Sequence, residues 1–229
     1  MSVQAVAVFS KLIQIYSTHA NLERAEGMKR YMKNQFEFFG IATPLRKDLS
    51  RKAIQAVGLP EGEELMELCR LCFGHDCRES QYFVQDVLKP LAKKKLSSDW
   101  LPLIEDLILT KSWWDSVDFL APKLAGHILL RYPNLQPLWH ERWIASDNIW
   151  LQRSAILLQL DYKEQTNSAL LFSDILRRKD SKEFFVQKAA GWALRQYART
   201  EPEKVLDFLS QNRNLPSLTV REASKHLRS

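Results

Sequence analysis

One repeating position constrains the fold of this chain more than any other feature. A basic residue begins an apolar helical stretch at Arg78, Arg153, Lys188 and Arg221, and Asp118 occupies the corresponding place after the first of them. From residue 78 through 118, 153, 188 and 221 the steps are 40, 35, 35 and 33 residues. Intervals of this length are typical of stacked helical hairpins, whose equivalent residues line one surface. These five residues, the repeat position, predict a row of cations interrupted by a single carboxylate.

The remainder of the chain also has helical periodicity. A helix is predicted over 3–18, and Asn21 is expected to cap a second helix that runs to about residue 35. Thr43 and Pro44 are expected to open the next helix, with a capping hydroxyl followed by proline at the first helical position. Kinks or breaks are expected at Pro90 and Pro122. Further helices are predicted near 61–73, 79–95, 99–110, 114–131, 135–145, 149–161, 166–178, 182–199, 202–212 and 217–227.

Paired helices with this period predict an all-α fold. The period lies among ankyrin, TPR and HEAT lengths, and the opening Val220-Arg221-Glu222-Ala223 favours HEAT-like hairpins. A single hairpin cannot bury its own apolar stripe, so stacked neighbours supply the core. We therefore predict a right-handed α-solenoid of HEAT-like helical hairpin repeats with a concave basic groove, as a single domain over 1–229.

Composition narrows the class of partner. The chain has 229 residues and a net charge of +6, which is compatible with a polyanion such as DNA. Basic residues are concentrated over 177–199 and at Lys93, Lys94 and Lys95, although such clusters are most often solvated faces. There is no apolar run of 18 residues, so no membrane partner is expected. Three cysteines, an odd number, fit a reducing cytoplasm, where a DNA-binding protein is expected on the nucleoid.

The cysteine-rich stretch is a candidate zinc site. Cys69, Cys72, His75 and Cys77 include enough ligand atoms for zinc. Four ligands within nine residues would be cramped, however, and helical spacing places Cys69 and Cys72 on the buried stripe. We therefore predict structural cysteines, no metal and no cofactor.

Asp118 is the strongest candidate for chemistry. Trp114 precedes it by four residues, so the indole and the carboxylate share one helix face. Arg153 lies in a strongly apolar helix, where a charge requires a partner. Two partners are open: Asp118 itself in a structural ion pair, or a phosphate held by the guanidinium fork.

Trp192 is a second aromatic candidate. It follows Lys188 by four residues and is flanked by Gly191 and alanines, which let a ligand or another backbone approach closely. One interpretation is a core tryptophan packed through that window. The other is an exposed indole that stacks on a base or a sugar, a contact worth about 1–3 kcal/mol.

These segments together resemble the AlkD-like DNA alkylation repair glycosylases, a family built from HEAT-like repeats. The resemblance spans most of the chain and is specific in combination. It is carried by Tyr31-Met-Lys-Asn-Gln-Phe36, Gly40-Ile-Ala-Thr43-Pro44, Trp113-Trp114-Asp115-Ser116-Val117-Asp118, Trp150-Leu151-Gln152-Arg153 and Gly191-Trp192-Ala193-Leu194-Arg195.

The resemblance implies hydrolysis of the N-glycosidic bond of N3- and N7-alkylated purines in duplex DNA, by a monomer that needs no metal. It implies Asp118 as the catalytic carboxylate and places Trp114 and Trp192 around the sugar of the lesion. The DNA contacts that it implies are Arg153, Tyr31, Thr43 and Arg195. Lys188, the lysine of the repeat position, is expected to bind DNA as well. It also implies that the base is not drawn into a pocket.

Electrostatics agree with that chemistry. A purine alkylated at N3 or N7 is cationic and departs without a general acid, so the problem is the positive charge that builds on the deoxyribose. A carboxylate at about 4 Å contributes about 1 kcal/mol in water and about 4 kcal/mol at an effective dielectric of 20. Neighbouring cations are expected to keep the pKa of Asp118 low. The competing hypotheses are a non-catalytic protein that binds DNA structure or damage, and a protein-interaction solenoid.

Overall fold

A computed structural model describes residues 2–92 and 95–227, with only the backbone described at His226. These residues form helices and connecting turns without a β-strand, which confirms the prediction of an all-α chain of helical repeats. Of the predicted lysine cluster, Lys93 and Lys94 lie outside the described residues. The chain divides into two compact units, unit 1 over Met1–Leu91 and unit 2 over Ala92–Ser229. The single domain over 1–229 stays a prediction.

Over residues 2–91, unit 1 contains five α-helices. The first has the predicted bounds and packs its apolar face on the third and fourth. Asn21 caps the second as predicted, accepting a hydrogen bond from the backbone N–H of Arg24 at 2.8 Å. That helix ends earlier than predicted, because Lys33 and Asn34 have φ of 57° and 58°, outside the helical region. The helices are α1 (Val3–Thr18), α2 (Leu22–Tyr31), α3 (Thr43–Val57), α4 (Gly62–Gly74) and α5 (Glu79–Leu88).

The start of α3 differs from the prediction. Ala42 is the N-cap residue, and no side chain makes a capping hydrogen bond there. Thr43 is therefore the first helical residue, with Pro44 directly after it. The predicted capping hydroxyl is wrong, because a threonine cap would require the helix to begin one residue later, at Pro44. The Thr43 side chain lies instead on the first turn of the helix.

Arg78, the first residue of the repeat position, is fully buried. Its guanidinium carbon lies 3.9 Å from the centroid of the Phe36 ring, and the residue occupies the N-cap of α5. The next residue, Glu79, is also buried and accepts hydrogen bonds from the backbone N–H groups of residues 39–41. The expectation that Arg78 lines a cationic surface is wrong, because this stretch anchors the 39–41 loop inside unit 1.

The described part of unit 2 contains the other α-helices, and its repeats are linked to one another. Side-chain hydrogen bonds join residues that are one period apart, at separations of 35, 36 and 37 residues. The helices that carry the repeat position pack on one another, α7 on α10, α10 on α12 and α12 on α14. They are α6 (Trp100–Leu109), α7 (Trp114–Phe119), α8 (His127–Arg131), α9 (Gln136–Ile144), α10 (Ile149–Leu157), α11 (Ser168–Arg177), α12 (Phe184–Tyr197), α13 (Pro202–Gln211) and α14 (Ser217–Ala223).

A π-helix over Leu120–Gly126 joins α7 to α8, so the three segments cover the run predicted over 114–131. Pro122 lies inside it, and the wider turn accommodates the missing N–H. Gly126 ends the π-helix against the end of α10, where an added Cβ would lie 2.3 Å from the Leu158 carbonyl oxygen. The Tyr162 hydroxyl donates to the Gly126 carbonyl at 2.6 Å. The helix that bears Asp118 is thereby fixed to the next repeat.

The cysteines belong to the packing of α4. Cys69 and Cys72 are buried, as predicted, and burial raises the pKa of Cys69 to about 12, which disfavours the thiolate that binds metals. Within 2–92 and 95–227, no group of three or more histidine, cysteine or acidic side chains is placed to hold a metal. Among the helices of the same ranges, none has the length and apolar content needed to cross a bilayer.

Candidate functional site

An open pocket of about 690 Å³ in unit 2 contains most of the predicted site residues. Helix α7 supplies its indole and carboxylate, α10 supplies a guanidinium and α12 supplies the opposite wall. Residues far apart in the sequence meet here because these helices carry equivalent repeat positions. The lining residues are Trp114, Asp118, Arg153, Phe184, Phe185, Lys188, Trp192 and Arg195.

Asp118 and Arg153 form a two-point ion pair. The Nε and Nη2 atoms of Arg153 donate to the two carboxylate oxygens at 2.8 and 2.9 Å. The side chain of Arg153 is 4% exposed, and that of Asp118 is 19% exposed. Of the two partners considered for this arginine, the structure therefore contains the aspartate. Contact between Arg153 and a phosphate stays a prediction.

The pKa of Asp118 contradicts the expectation. Burial raises the pKa of this carboxyl, and the hydrogen bonds and charge of Arg153 offset that effect only in part. The prediction of a lowered pKa is wrong because it counted neighbouring cations and omitted desolvation. A two-point guanidinium contact nevertheless requires two acceptor oxygens, which is the geometry of an ionised carboxylate.

A third hydrogen bond, from the remaining nitrogen of the guanidinium, holds Arg153 in place. Its Nη1 atom donates to the Phe185 carbonyl oxygen at 2.6 Å, which joins α10 to the start of α12. The Phe185 ring packs against Trp113 and Trp150, with centroid distances of 5.1 and 4.9 Å. This aromatic cluster packs around the residue whose carbonyl oxygen accepts from Arg153. Arg153 is therefore placed to orient Asp118.

Trp114 and Trp192 line the pocket from different helices, and both are partly exposed. The interpretation of Trp192 as a core residue is not favoured by this position. The glycine beside it allows the backbone of α14 to approach α12, since a Cβ added at Gly191 would lie 2.6 Å from the Thr219 carbonyl oxygen. Phe184, which the sequence pattern did not single out, lines the same pocket and is 55% exposed.

Glu222 is a further residue that the sequence pattern did not reveal. Its carboxylate accepts hydrogen bonds from Lys188 at 2.9 Å, Arg195 at 2.7 Å and Lys225 at 2.8 Å. Burial alone would raise its pKa, but the bonds from Lys225, Lys188 and Arg195 outweigh that effect and lower the pKa to about 2. The one feature of the sequence that could have indicated Glu222 is its place directly after Arg221 of the repeat position.

The basic residues of the repeat position therefore do not form the predicted row of cations along the pocket. Arg153 and Lys188 both bind carboxylates, and Arg78 is enclosed in unit 1. Arg221 is exposed on α14 and does not line the pocket. Two of the repeat-position cations are thus paired with acidic side chains of a neighbouring repeat, because equivalent helices of neighbouring repeats are in contact.

Two predicted DNA contacts belong to unit 1. Tyr31 is the last residue of α2 and is 70% exposed. Thr43 is the first residue of α3. Both side chains are at least partly accessible in that unit, and their contact with DNA stays a prediction.

Comparisons with known proteins agree over most of the chain. The profile of a family described as DNA alkylation repair enzyme matches residues 12–227. No curated protein matches the chain. Among solved structures, it is similar to a predicted DNA alkylation repair enzyme from Enterococcus faecalis. The two are 33% identical, the alignment covers 92% of this chain and 97% of that one, and the TM-score is 0.82.

Proposed function

This chain belongs to the DNA alkylation repair enzyme family, a family of DNA repair enzymes, and on that premise we propose that it is a DNA N-glycosylase. Its substrates on this proposal are N3- and N7-alkylated purines in duplex DNA, from which it releases the base. One observation carries the proposal: two indoles and a carboxylate, Trp114, Trp192 and Asp118, line the same open pocket.

The proposed reaction needs little help for its leaving group. Alkylation at N3 or N7 makes the purine cationic, so the C1′–N bond breaks with its electron pair neutralising the base. Positive charge then builds on the deoxyribose, and a water oxygen bonds to C1′ with loss of a proton to solvent. The protein must therefore stabilise a cationic sugar and place a water molecule.

Asp118 suits both tasks. A carboxylate at about 4 Å from the sugar contributes about 4 kcal/mol at an effective dielectric of 20. Arg153 reduces this attraction but fixes the direction of the carboxylate. A carboxylate has about four lone-pair sites, so about two remain after the two-point contact and one can accept a hydrogen bond from the attacking water. Trp114 and Trp192 exclude bulk water and can offer the negative faces of their rings to the cation.

The proposal assigns DNA binding to cations at the pocket and to residues of unit 1. Lys188 and Arg195 lie in the pocket lining, partly exposed, where phosphates on either side of a lesion can reach them. Tyr31, Thr43 and Arg153 remain proposed contacts. The protein acts on this proposal as a monomer, without metal, on nucleoid DNA in the cytoplasm.

Base release from methylated duplex DNA tests the proposal. Wild-type protein is expected to release 7-methylguanine or 3-methyladenine. Asp118→Asn is expected to lose most of that release, about 10²- to 10³-fold, as is typical when one electrostatic stabiliser is removed. Its affinity for DNA should be largely kept. Asp106→Asn is the matched control, since Asp106 is exposed on α6 and lies outside the pocket. Release at the wild-type rate by Asp118→Asn would refute the role of the carboxylate.

A second candidate is a non-catalytic protein that binds damaged or branched DNA. The two-point contact of Arg153 with Asp118 favours it, because this guanidinium neutralises the only carboxylate that lines the pocket among the described residues. This alternative predicts tight binding of duplex or junction DNA without base release from any methylated substrate. The same release assay therefore separates the two candidates.

A further inference from the structure

The charges that line the pocket do not by themselves suit a reaction that builds positive charge. Asp118 is the only carboxylate among its described lining residues, and Arg153 already binds that group. Lys188 and Arg195 add two further cations to the wall. Without any counter-charge, these two cations beside the proposed sugar cation would oppose its formation, since like charges repel one another. A negative charge of the protein close to this wall would reduce that repulsion, in addition to the phosphates that the same cations are proposed to bind.

Glu222 supplies such a charge from behind the wall. It belongs to α14, does not line the pocket, and has a side chain that is 4% exposed. One carboxylate oxygen accepts from Lys188, and the other accepts from Arg195, two turns further along α12. A single buried carboxylate thus binds both cations of the wall. It also accepts from Lys225 at 2.8 Å, so its one negative charge is set against three positive ones.

The backbone around Glu222 keeps it in this place. α14 approaches α12 so closely at Gly191 that an added Cβ would lie 2.5 Å from Glu222 Cβ. The Thr219 hydroxyl donates to the Gln187 carbonyl at 3.0 Å, which ties the same two helices together. With its pKa lowered to about 2, the carboxyl is ionised at every pH at which the enzyme would act.

We propose that Glu222 is a positioning residue for the proposed glycosylase reaction, one that holds Lys188 and Arg195 against the pocket wall and limits their repulsion of the cationic sugar. The inference rests on the proposed function. It predicts a separation of effects that loss of structure would not produce: removing the negative charge should slow base release without weakening DNA binding.

Glu222→Gln isolates the charge, because glutamine keeps the shape and one acceptor oxygen. Release of 7-methylguanine is measured in single turnovers with enzyme in excess, and affinity is measured on undamaged duplex. The release rate is expected to fall on the order of three- to tenfold, since stabilisation of the transition-state charge is weakened. Affinity is expected to stay equal or to increase, because Lys188, Arg195 and Lys225 lose their shared carboxylate and become available to phosphates.

Two further variants make the test specific. Glu201→Gln is the matched control, since Glu201 is also ion-paired in unit 2, at 3.2 Å from Lys204, but lies outside the pocket. It should release base at the wild-type rate. Glu222→Asp keeps the charge on a shorter side chain and should recover part of the rate; it also serves if Glu222→Gln does not fold.

The outcomes distinguish the inference from its premise. A wild-type rate in Glu222→Gln, while wild-type protein releases base, overturns the inference alone. Parallel loss of rate, affinity and thermal stability in Glu222→Gln and Glu222→Asp also overturns it, because that pattern indicates a purely structural glutamate. Absence of release by wild-type protein refutes the proposed function and the inference with it.

Discussion

Replacing Arg153 by methionine should show how strongly the structure depends on the ion pair in the pocket. Methionine fills similar space without a charge, so the variant leaves Asp118 partly buried without its guanidinium. Removing one partner of a buried ion pair costs about 3–5 kcal/mol. Because the Asp118 side chain is 19% exposed, we expect the lower end, about 3 kcal/mol of unfolding free energy at pH 7.

The coupling between the two residues is the more specific quantity. Asp118→Asn alone leaves the guanidinium of Arg153 buried with a weaker acceptor, and we expect a cost of about 2–3 kcal/mol. The double variant removes both charges, and replacing a whole buried pair is often nearly neutral. The double variant should therefore cost less than the two single variants together, by about 2 kcal/mol or more.

The destabilisation by Arg153→Met should also depend on pH. Burial already raises the pKa of Asp118 with Arg153 present, and loss of the guanidinium removes the effects that lower it. An acid whose pKa is higher in the folded state binds more protons when folded, so acidification favours the folded state through that group. The stability difference from wild type should therefore shrink as the pH falls from about 7 towards about 5.

Urea unfolding followed by tryptophan fluorescence measures both effects. All seven tryptophans lie in unit 2, so their emission reports the unit that contains the pair. Asp106→Asn serves again as the exposed control and should change stability little. Additive costs within about 0.5 kcal/mol, or a difference that does not change with pH, would refute the energetic importance assigned to this pair.

Two other predictions concern α14. Gly191→Ala should lower the unfolding free energy by about 1–3 kcal/mol in thermal melts, because the new methyl group collides with Glu222 Cβ and the Thr219 carbonyl. Gly27→Ala, in the middle of α2 with open space around it, should instead stabilise by up to about 1 kcal/mol, and equal effects would contradict the packing argument. Glu222 should also contribute acid sensitivity. Its pKa falls from 4.5 to about 2 on folding, so the stability that it provides is complete above the unfolded value and is lost as the pH drops through the folded one. Urea titrations at about pH 5 and about pH 3 should show a larger loss for wild type than for Glu222→Gln, and parallel losses would exclude this role.

Helix positions were largely predictable, because they depend on neighbours along the chain. The α1 bounds and the Asn21 cap followed from spacing and from one side chain that accepts from its own helix. The errors occurred at ends that depend on backbone conformation, such as Lys33 and Asn34 after α2. At Pro122 the sequence predicted a kink or break in the helix. The structure has a π-helix there, which ends where Gly126 packs against the Leu158 carbonyl.

The site divides in the same way. The sequence alone determined the period, the family and the presence of Trp114, Asp118 and Trp192 at positions that share one surface. Tertiary structure decided that Arg153 binds Asp118, that desolvation outweighs this cation in setting the carboxyl pKa, and that Glu222 holds the opposite wall. These three properties depend on burial and on contacts with residues about one repeat away. Both arise only when the helices pack, so the residue pattern alone does not reveal them.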